Sequence, residues 1–432
     1  MKQLKTQAID IPSDREFLHP TISPTESTNL LDNIPWQYSK SAVISCASAA
    51  LFLDMISYSI IIPILPEYIT EVYHLSPDFL GILFGSYAFG LLISTPIFGF
   101  LSDYYQNRKI FMMIGYLGLI LSSLFFMWGS TFTHLLIARF LGGVSGASSW
   151  SMGLSLMGEI ATDDLGSLLG SVLAWNFIGF TVGPLLGGVL YEFLGYESVF
   201  IVIVILSCIA LVHRAIINES YLIQIKREWL MSQQDNDNHS LDNVDSFASL
   251  LTKPNIQLGL TLTVFNGSII SGLEPILPLY LSNQFNLNPS HIGLMFICLA
   301  LPNILFSSWF GNLADKHGNL KMMILGMLAS SLGNILVGIS TQLGFEIVAL
   351  LLLGTANCMS LTPVVALIGS GTHAHGKVYA LFNACWALGM FIGPSIGTFI
   401  YASHGFTSVM CAFASIVIFN TILSAIYYKA TL

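Results

Sequence analysis

The chain has 432 residues, of which 54% are hydrophobic and only 9% are charged. A soluble domain carries about 25% charged residues, so this composition excludes a soluble protein and indicates one that is embedded in a membrane. The net charge of −9 gives no support for a nucleic-acid partner.

Apolar segments of about 20 residues recur along the chain, each long enough to cross a bilayer. Only helices satisfy their own backbone in open lipid, so we expect an all-α membrane protein with twelve transmembrane helices in two pseudo-symmetric six-helix bundles. The predicted helices are 42–67, 79–102, 110–130, 134–157, 167–191, 198–217, 256–281, 291–313, 320–340, 345–369, 377–400 and 406–428. The predicted organisation is a tail (1–40), a first bundle (41–217), a linker (218–254), a second bundle (255–428) and a short tail (429–432).

Basic residues mark one side of this arrangement. Every Lys and Arg except Arg139 falls in a tail, or in or beside a loop that joins an even-numbered helix to the next. Cytoplasmic loops carry the excess of basic residues, so we expect both termini in the cytoplasm. The first tail contains the form of an acidic dileucine sorting signal, Glu26 to Leu31, for which a chance match is the alternative. A working signal would favour a vesicle or vacuolar membrane over the plasma membrane.

Predicted helix 1 carries an acid deep within the membrane. Asp54 lies about a dozen residues into the helix, near the midplane at about 1.5 Å per residue. A charge at the bilayer centre costs at least about 2.5 kcal/mol on insertion scales, so we expect it to face a cavity. Its carboxylate can bind a proton or neutralise an ammonium group. Tyr58 and Tyr87 can place aromatic rings beside a bound cation, with ordinary packing as the alternative for each.

The short loop between helices 2 and 3 joins a glycine, an aspartate and two basic residues. The glycine permits close helix packing, the aspartate can cap a helix or pair with a base, and the basic residues hold helix 3 at the membrane surface. The pattern returns between helices 8 and 9, so we predict that both loops take part in conformational gating; a tight basic turn is the alternative. The residues are Gly99, Asp103, Arg108 and Lys109, and in the second copy Gly311, Asp315 and Lys321.

Helices 4 and 5 add a buried base and a proline kink. Arg139 in helix 4 can pair with an acid and be released when that acid is protonated; a static bridge to Asp54 is the alternative. Gly183 and Pro184 in helix 5 lie in a glycine-rich run that permits a kink and close packing, and we predict that they too take part in conformational gating. The same Gly-Pro pair returns in helix 11 at Gly393, so a packing groove is the competing interpretation.

Helix 7 carries the acid of the second half. Glu274 precedes Pro275, which breaks the helix, frees a carbonyl and widens the expected cavity. Segment Ile62 to Tyr68 returns here as Glu274 to Tyr280, so the scaffold is duplicated while the acid is not. Asn266, which stands opposite Asp54 in the repeat, and Asn383 in helix 11 are the further residues that we expect at the site.

At these residues the sequence resembles the major facilitator superfamily. Its hallmark is a Gly-x-x-x-Asp…Arg/Lys loop between helices 2 and 3, weakly repeated between helices 8 and 9, and helix 5 looks like its antiporter signature. Asn107 stands where the family usually has a glycine. The resemblance implies the twelve-helix fold and a substrate cavity between the two halves.

Segments 51–54, 63–66, 137–143, 162–164, 183–193 and 273–275 further resemble the vesicular amine transporters. That group exchanges lumenal protons for cytosolic amines, which implies that Asp54 contacts the amine and that Glu274 shares substrate binding or protonation. The chain departs from the group by having Tyr87 in place of a lysine, and Asn357 and Asn383 where aspartates are found. Neutral amides exchange no proton near pH 7, so a broader cation, polyamine or drug exporter fits better.

The sequence thus favours a secondary active transporter that exchanges protons for small organic cations by alternating access. A uniporter of neutral solutes and a non-transporting receptor on the same scaffold are the alternatives. The six cysteines fall within predicted helices, and no phosphate-binding loop, metal-ligand set or nucleophile constellation is present, so we expect neither an enzyme nor a cofactor. The expected partners are the cation, protons and the bilayer, and we expect a monomer.

Overall fold

The computed structural model describes residues 36–105, 107–160, 165–219, 222–223, 247–369 and 375–431. All regular structure in these ranges is helical, and twelve long helices dominate it. They are α1 (Lys40–Ser59), α2 (Asp78–Tyr105), α3 (Arg108–Trp128), α4 (Phe132–Ile160), α5 (Leu165–Leu194), α6 (Tyr196–Ile216), α7 (Pro254–Leu273), α8 (Pro289–His317), α9 (Asn319–Gly338), α10 (Leu343–Gly369), α11 (His375–His404) and α12 (Phe406–Thr431). The dileucine pattern, residues 162–164 and most of the linker lie outside the described residues.

Among the described residues, eleven helices are long and apolar enough to cross a membrane. The exception is α4, in which Gly and Ser residues and Arg139 lower the hydropathy. Most of those polar and small side chains are buried against neighbouring helices rather than turned to lipid. The expected all-α membrane fold with two six-helix bundles is confirmed.

Two of the predicted transmembrane helices are interrupted. Predicted helix 1 ends as α1 at Ser59, residues 60–64 form turns, and a short helix (Leu65–Glu71) follows. The corresponding helix of the second half ends as α7 at Leu273 and resumes as Ile276–Phe285. Pro63 and Pro275 lack an N–H and crowd the preceding turn, which accounts for both breaks. The break at Pro275 was expected, and that in helix 1 was not.

The two halves, α1–α6 and α7–α12, repeat the same packing. In the first half α1 packs on α5, α2 and α3 pack on α4, and α3 packs on α6; the second half repeats these pairs with α7–α12. Paired aromatic rings repeat as well: Tyr68 stacks on Tyr196 at 4.1 Å between centroids, and Tyr280 stacks on Phe406 at 3.8 Å. The duplication in the sequence is therefore a duplication of helix contacts.

The halves meet through α2 against α11 and α5 against α8. We call the membrane face where α1 begins the terminal face, and the other the opposite face. The closest backbone approaches between these pairs lie near the opposite face: a Cβ added to Gly81 would stand 2.8 Å from Cα of Ser395, and one added to Gly293 2.7 Å from Cα of Leu185. Close backbone approach requires glycine at both positions. Near the terminal face, a Cβ added to Gly170 would meet nothing within 4 Å.

Candidate functional site

The Asp54 carboxylate is held by two neutral donors. The hydroxyl of Tyr87 on α2 donates to Oδ1 at 3.0 Å, and the indole N–H of Trp150 on α4 donates to Oδ2 at 3.1 Å. The side chain is 1% exposed. Gly146, one turn before Trp150, leaves the space that this arrangement needs, because an added Cβ would stand 2.7 Å from Oδ1. Asp54 is thus a buried, hydrogen-bonded acid that forms no ion pair with a base in the described part of the chain.

Glu274 lies at the break after α7 and is 3% exposed. Its Oε2 accepts a hydrogen bond from the hydroxyl of Tyr58, which belongs to α1 in the other half. The rings of Tyr58 and Tyr87 lie tilted with their centroids 4.6 Å apart. The two tyrosines therefore stand between the two acids, and each donates to one of them.

Arg139 lies among aromatic rings rather than beside an acid. Its guanidinium carbon is 4.4 Å from the centroid of Phe84, 5.1 Å from that of Tyr58 and 5.8 Å from that of Tyr87. The residue is 2% exposed, and no ion pair joins it to Asp54 or Glu274 in the described part of the chain. Ring faces, which attract a cation, surround the charge in this conformation, so the static bridge to Asp54 is not formed here and a transient pairing of Arg139 with an acid stays a prediction.

The two asparagines expected at the site take no part in these described bonds. Asn266 on α7 and Asn383 on α11 are both half-buried. Neither forms a described hydrogen bond with Asp54 or Glu274. The structure brings together Asp54, Glu274, Tyr58, Tyr87 and Arg139, and it leaves the two amides outside this hydrogen-bonded group.

The loop after α2 is anchored by its basic residues. Arg108 Nε donates to Oε1 of Glu159 at 2.8 Å, and its Nη1 contacts the hydroxyl of Ser102. Lys109 Nζ donates to the carbonyls of Ala215 at 2.6 Å and Ile217 at 2.9 Å, which caps the end of α6. Arg108 and Lys109 thereby tie α3 to α2, α4 and α6 on the terminal face.

The glycines of the two loops pack less closely than expected, and the gating role of the loops stays a prediction. Gly99 was expected to pack closely, yet an added Cβ would meet nothing within 4 Å, because α2 faces open space there. Gly311 has only Thr362 at 3.7 Å. Asp315 and Lys321 are exposed, and the side chain of Asp103 lies outside the described part of the structure.

The Gly-Pro pair of α5 lies where the two halves and α1 converge. A Cβ added to Gly183 would stand 3.1 Å from the backbone N of Ile60, at the break after α1. The carbonyl group of Pro184 faces Gly293 of α8. This pair therefore packs against the break in α1 and against the other half at once.

Sequence reasoning missed Trp150 and Phe84. Trp150 lies four positions after Gly146, hence on the same face of α4, but a tryptophan in an apolar helix carries no signal that distinguishes it from packing. Phe84 precedes Tyr87 by one turn, so the two rings share a face of α2. The contact with Arg139 is what identifies Phe84 as part of the site.

The chain is similar in sequence to known membrane transporters. The sequence profile of the Major Facilitator Superfamily matches residues 47–224 and 259–431. An MFS-type transporter of Schizosaccharomyces pombe is 27% identical over 410 residues, covering 85% of this chain and 92% of that protein. The MFS-type transporter SLC18B1 of Homo sapiens is 27% identical, with coverage of 84% and 81%. The human synaptic vesicular amine transporter is 28% identical over 76% of this chain and 63% of that one.

Solved structures show the same fold at low sequence identity. The D-xylose-proton symporter superposes with a TM-score of 0.70 at 16% identity, covering 89% of this chain and 96% of that one. The human organic anion transporter MFSD10 gives 0.63 at 17% identity, with coverage of 90% and 100%.

Proposed function

The chain belongs to the Major Facilitator Superfamily, and from that premise we propose that it exchanges protons for small organic cations across its membrane. The observation that carries the proposal is the pair of buried acids, Asp54 and Glu274, each held by neutral donors and neither ion-paired with a base among the described residues. A buried carboxylate without a base must take up a proton or bind another cation to be neutralised.

The charges of the group favour exchange over co-transport. Two ionised carboxylates and Arg139 leave one net negative charge in a buried site. A proton or an ammonium group neutralises that charge, and occupation by one disfavours the other. Competition for a single charge is the simplest physical basis for antiport.

The site has the surroundings that an organic cation needs. Tyr58, Tyr87 and Trp150 surround the acids with aromatic rings, which attract cations through their faces. Similarity to the synaptic vesicular amine transporter supports an amine, and the absence of acids at Asn357 and Asn383 favours a wider range of amines, polyamines or cationic drugs. We propose that the site opens towards the terminal face in this conformation, which we assign to the cytoplasm.

Purified protein in lipid vesicles with an imposed pH gradient tests the proposal. The probes are a primary amine, a polyamine and an aromatic quaternary cation, each radiolabelled, with a neutral sugar as the control solute. We expect uptake of at least one cation that requires the gradient and stops when an ionophore abolishes it. Cation flux that ignores the gradient, or flux of the sugar alone, would indicate a uniporter. Binding without flux would indicate a receptor.

A further inference from the structure

A small pocket lies beside Arg139, entirely within the first half of the molecule. Its volume is about 20 Å³, and α1, α2, α3, α4 and α6 form its walls. Its polar lining residues are Ser57, Tyr58, Tyr87, Ser122, Ser123 and Arg139. Among the described residues, those that line it all belong to the first half, and one of them is Tyr58, whose hydroxyl donates to Glu274.

Arg139 lines this pocket with unused hydrogen-bond donors. Its Nε and Nη2 are buried and have no described hydrogen-bond partner. Aromatic faces stabilise the charge of the guanidinium, but they do not replace acceptors for its N–H groups. A buried charged donor of this kind requires an acceptor.

The serines offer the complementary chemistry. The hydroxyl of Ser122 donates to the carbonyl of Ala138 at 2.7 Å, and that of Ser123 donates to the carbonyl of Leu119 at 3.0 Å. Ser57 likewise donates to the carbonyl of Asp54 at 2.8 Å. Because their protons are engaged, these hydroxyls can only accept a further hydrogen bond. The pocket therefore suits a bound molecule that accepts a hydrogen bond from Arg139 and donates one to a serine oxygen.

The volume of the pocket and the charges around it limit which molecule can bind there. A cavity needs roughly 10–15 Å³ to hold one water molecule, so a pocket of about 20 Å³ has room for one. An inorganic anion offers no donor to the serine oxygens, and the two nearby acids repel it. Water satisfies both requirements.

We propose that this pocket binds a single water molecule, which accepts a hydrogen bond from Arg139 and donates to Ser122 or Ser123. The bound water completes the surroundings of the guanidinium and keeps it among the rings of Phe84, Tyr58 and Tyr87. Its consequence for transport rests on the proposed function: with Arg139 held there, Asp54 and Glu274 stay available to protons and cations.

Gly142→Ala tests the water site with little disturbance of the fold. Gly142 lines the pocket, and its added Cβ would stand 3.5 Å from Ser122 Oγ and from Cδ2 of Tyr87, an ordinary contact. The matched control is Gly118→Ala on α3, whose Cβ would meet only Ser145 Cβ, at 3.8 Å, outside the pocket. Both changes replace a helical glycine by alanine and gain the same helix propensity.

The first measurement is a high-resolution experimental structure of each protein. We expect a water peak between Arg139 and Ser122 or Ser123 in the unmodified chain and in Gly118→Ala, and none in Gly142→Ala. Ser123→Ala, which adds no volume, is a second variant and should weaken the peak. An experimental structure in which Arg139 bonds an acid directly, or a bromide soak with anomalous signal in the pocket, would overturn the assignment.

The second measurement is cation transport in vesicles. We expect Gly142→Ala to raise the KM for the cation about tenfold, because an arginine without its water gains most by pairing with an acid. Gly118→Ala should keep the KM of the unmodified chain. An unchanged KM in Gly142→Ala would contradict the link to transport. A water peak in a protein that moves no cation would leave the water site standing and remove the proposed function.

Discussion

The hydroxyl of Tyr58 on α1 donates a hydrogen bond to Oε2 of Glu274 and so joins the two halves of the molecule at their core. Both residues are almost completely buried. Whether Glu274 is ionised therefore bears directly on a contact that the other half makes. A protonated or cation-bound Glu274 is a weaker acceptor for Tyr58, which provides a route from the chemistry of the acid to the movement of the halves.

Glu274→Gln should abolish uptake that is driven by a pH gradient. The amide oxygen still accepts from Tyr58, so the halves keep their contact, but the side chain can no longer exchange a proton. We expect a loss of at least about tenfold in the initial rate, as for the loss of a charged hydrogen-bonding group. Glu197→Gln, at an exposed acid on α6, is the control and should transport normally. Full gradient-driven uptake by Glu274→Gln would remove Glu274 from the coupling mechanism.

Trp150→Phe should weaken cation binding while the fold remains intact. The phenyl ring keeps an aromatic face on α4 but lacks the N–H that holds Asp54 Oδ2. Loss of one hydrogen bond to a buried charged group costs about 1.5–3 kcal/mol, which corresponds to a KM that rises roughly tenfold or more. Trp128→Phe, at a side chain 74% exposed, is the matched control. Equal kinetics in the two variants would show that Trp150 only packs.

Gly188→Val should hold the molecule open at the opposite face. An added Cβ there would stand 2.8 Å from Cα of Ser290, so the two halves cannot approach through α5 and α8 as they do now. Gly170→Val on the same helix meets open space and serves as the control. We expect faster labelling of Ser282→Cys by a membrane-impermeant maleimide in Gly188→Val alone. Equal labelling in both variants would show that the contact between α5 and α8 does not limit closure at the opposite face.

Glu67 should make closure at the opposite face sensitive to acid. It lies beyond the end of α1 and lines a cavity of about 150 Å³ between the halves, together with Glu71, Asn283 and Tyr401. Burial, and secondarily the Glu71 carboxylate, raises the pKa of Glu67 above its ordinary value of 4.5. A group whose pKa is raised in the closed form favours closure at low pH, and that contribution is lost as the pH rises through the raised pKa.

We therefore expect a fluorophore on Ser282→Cys to become more accessible to a collisional quencher as the pH rises. In Glu67→Gln the accessibility of the fluorophore should stay low at every pH, because the amide is always neutral and favours the closed form. Glu197→Gln, at an exposed acid near the same face, should keep the original profile. A fluorophore that becomes less accessible as the pH rises would contradict this role of Glu67 in closure.

Lys109→Met should destabilise the first half more than Lys321→Met destabilises the second. Lys109 bonds two carbonyls at the end of α6, whereas the corresponding Lys321 is exposed. We expect a loss of about 1–2 kcal/mol in the free energy of unfolding for Lys109→Met, given the partial exposure of the group. Thermal unfolding in one detergent compares the two variants. Equal shifts in the midpoint would mean that the cap contributes nothing measurable.

Much of the fold followed from the amino-acid sequence. Runs of about 20 apolar residues require helices in lipid, and the repeat from Ile62 to Glu274 predicts two similar bundles. Pro275 identified the break at Glu274 because proline cannot continue a helix. Acids and a base within apolar helices identified Asp54, Glu274 and Arg139, since such residues are costly in lipid unless they face a cavity.

The contacts among those residues were decided only by the tertiary structure. In a membrane helix the lipid-facing and the buried faces are both apolar, so periodicity does not show which face turns inward. The rotation of α4 is what brings Trp150, rather than Arg139, to Asp54. The crossing of α1 and the broken α7 brings Tyr58 to Glu274. The orientation of α2 about its axis places the rings of Phe84 and Tyr87 beside Arg139. The sequence by itself determined which charges the membrane must accommodate, and helix packing decided what neutral partners each charge received.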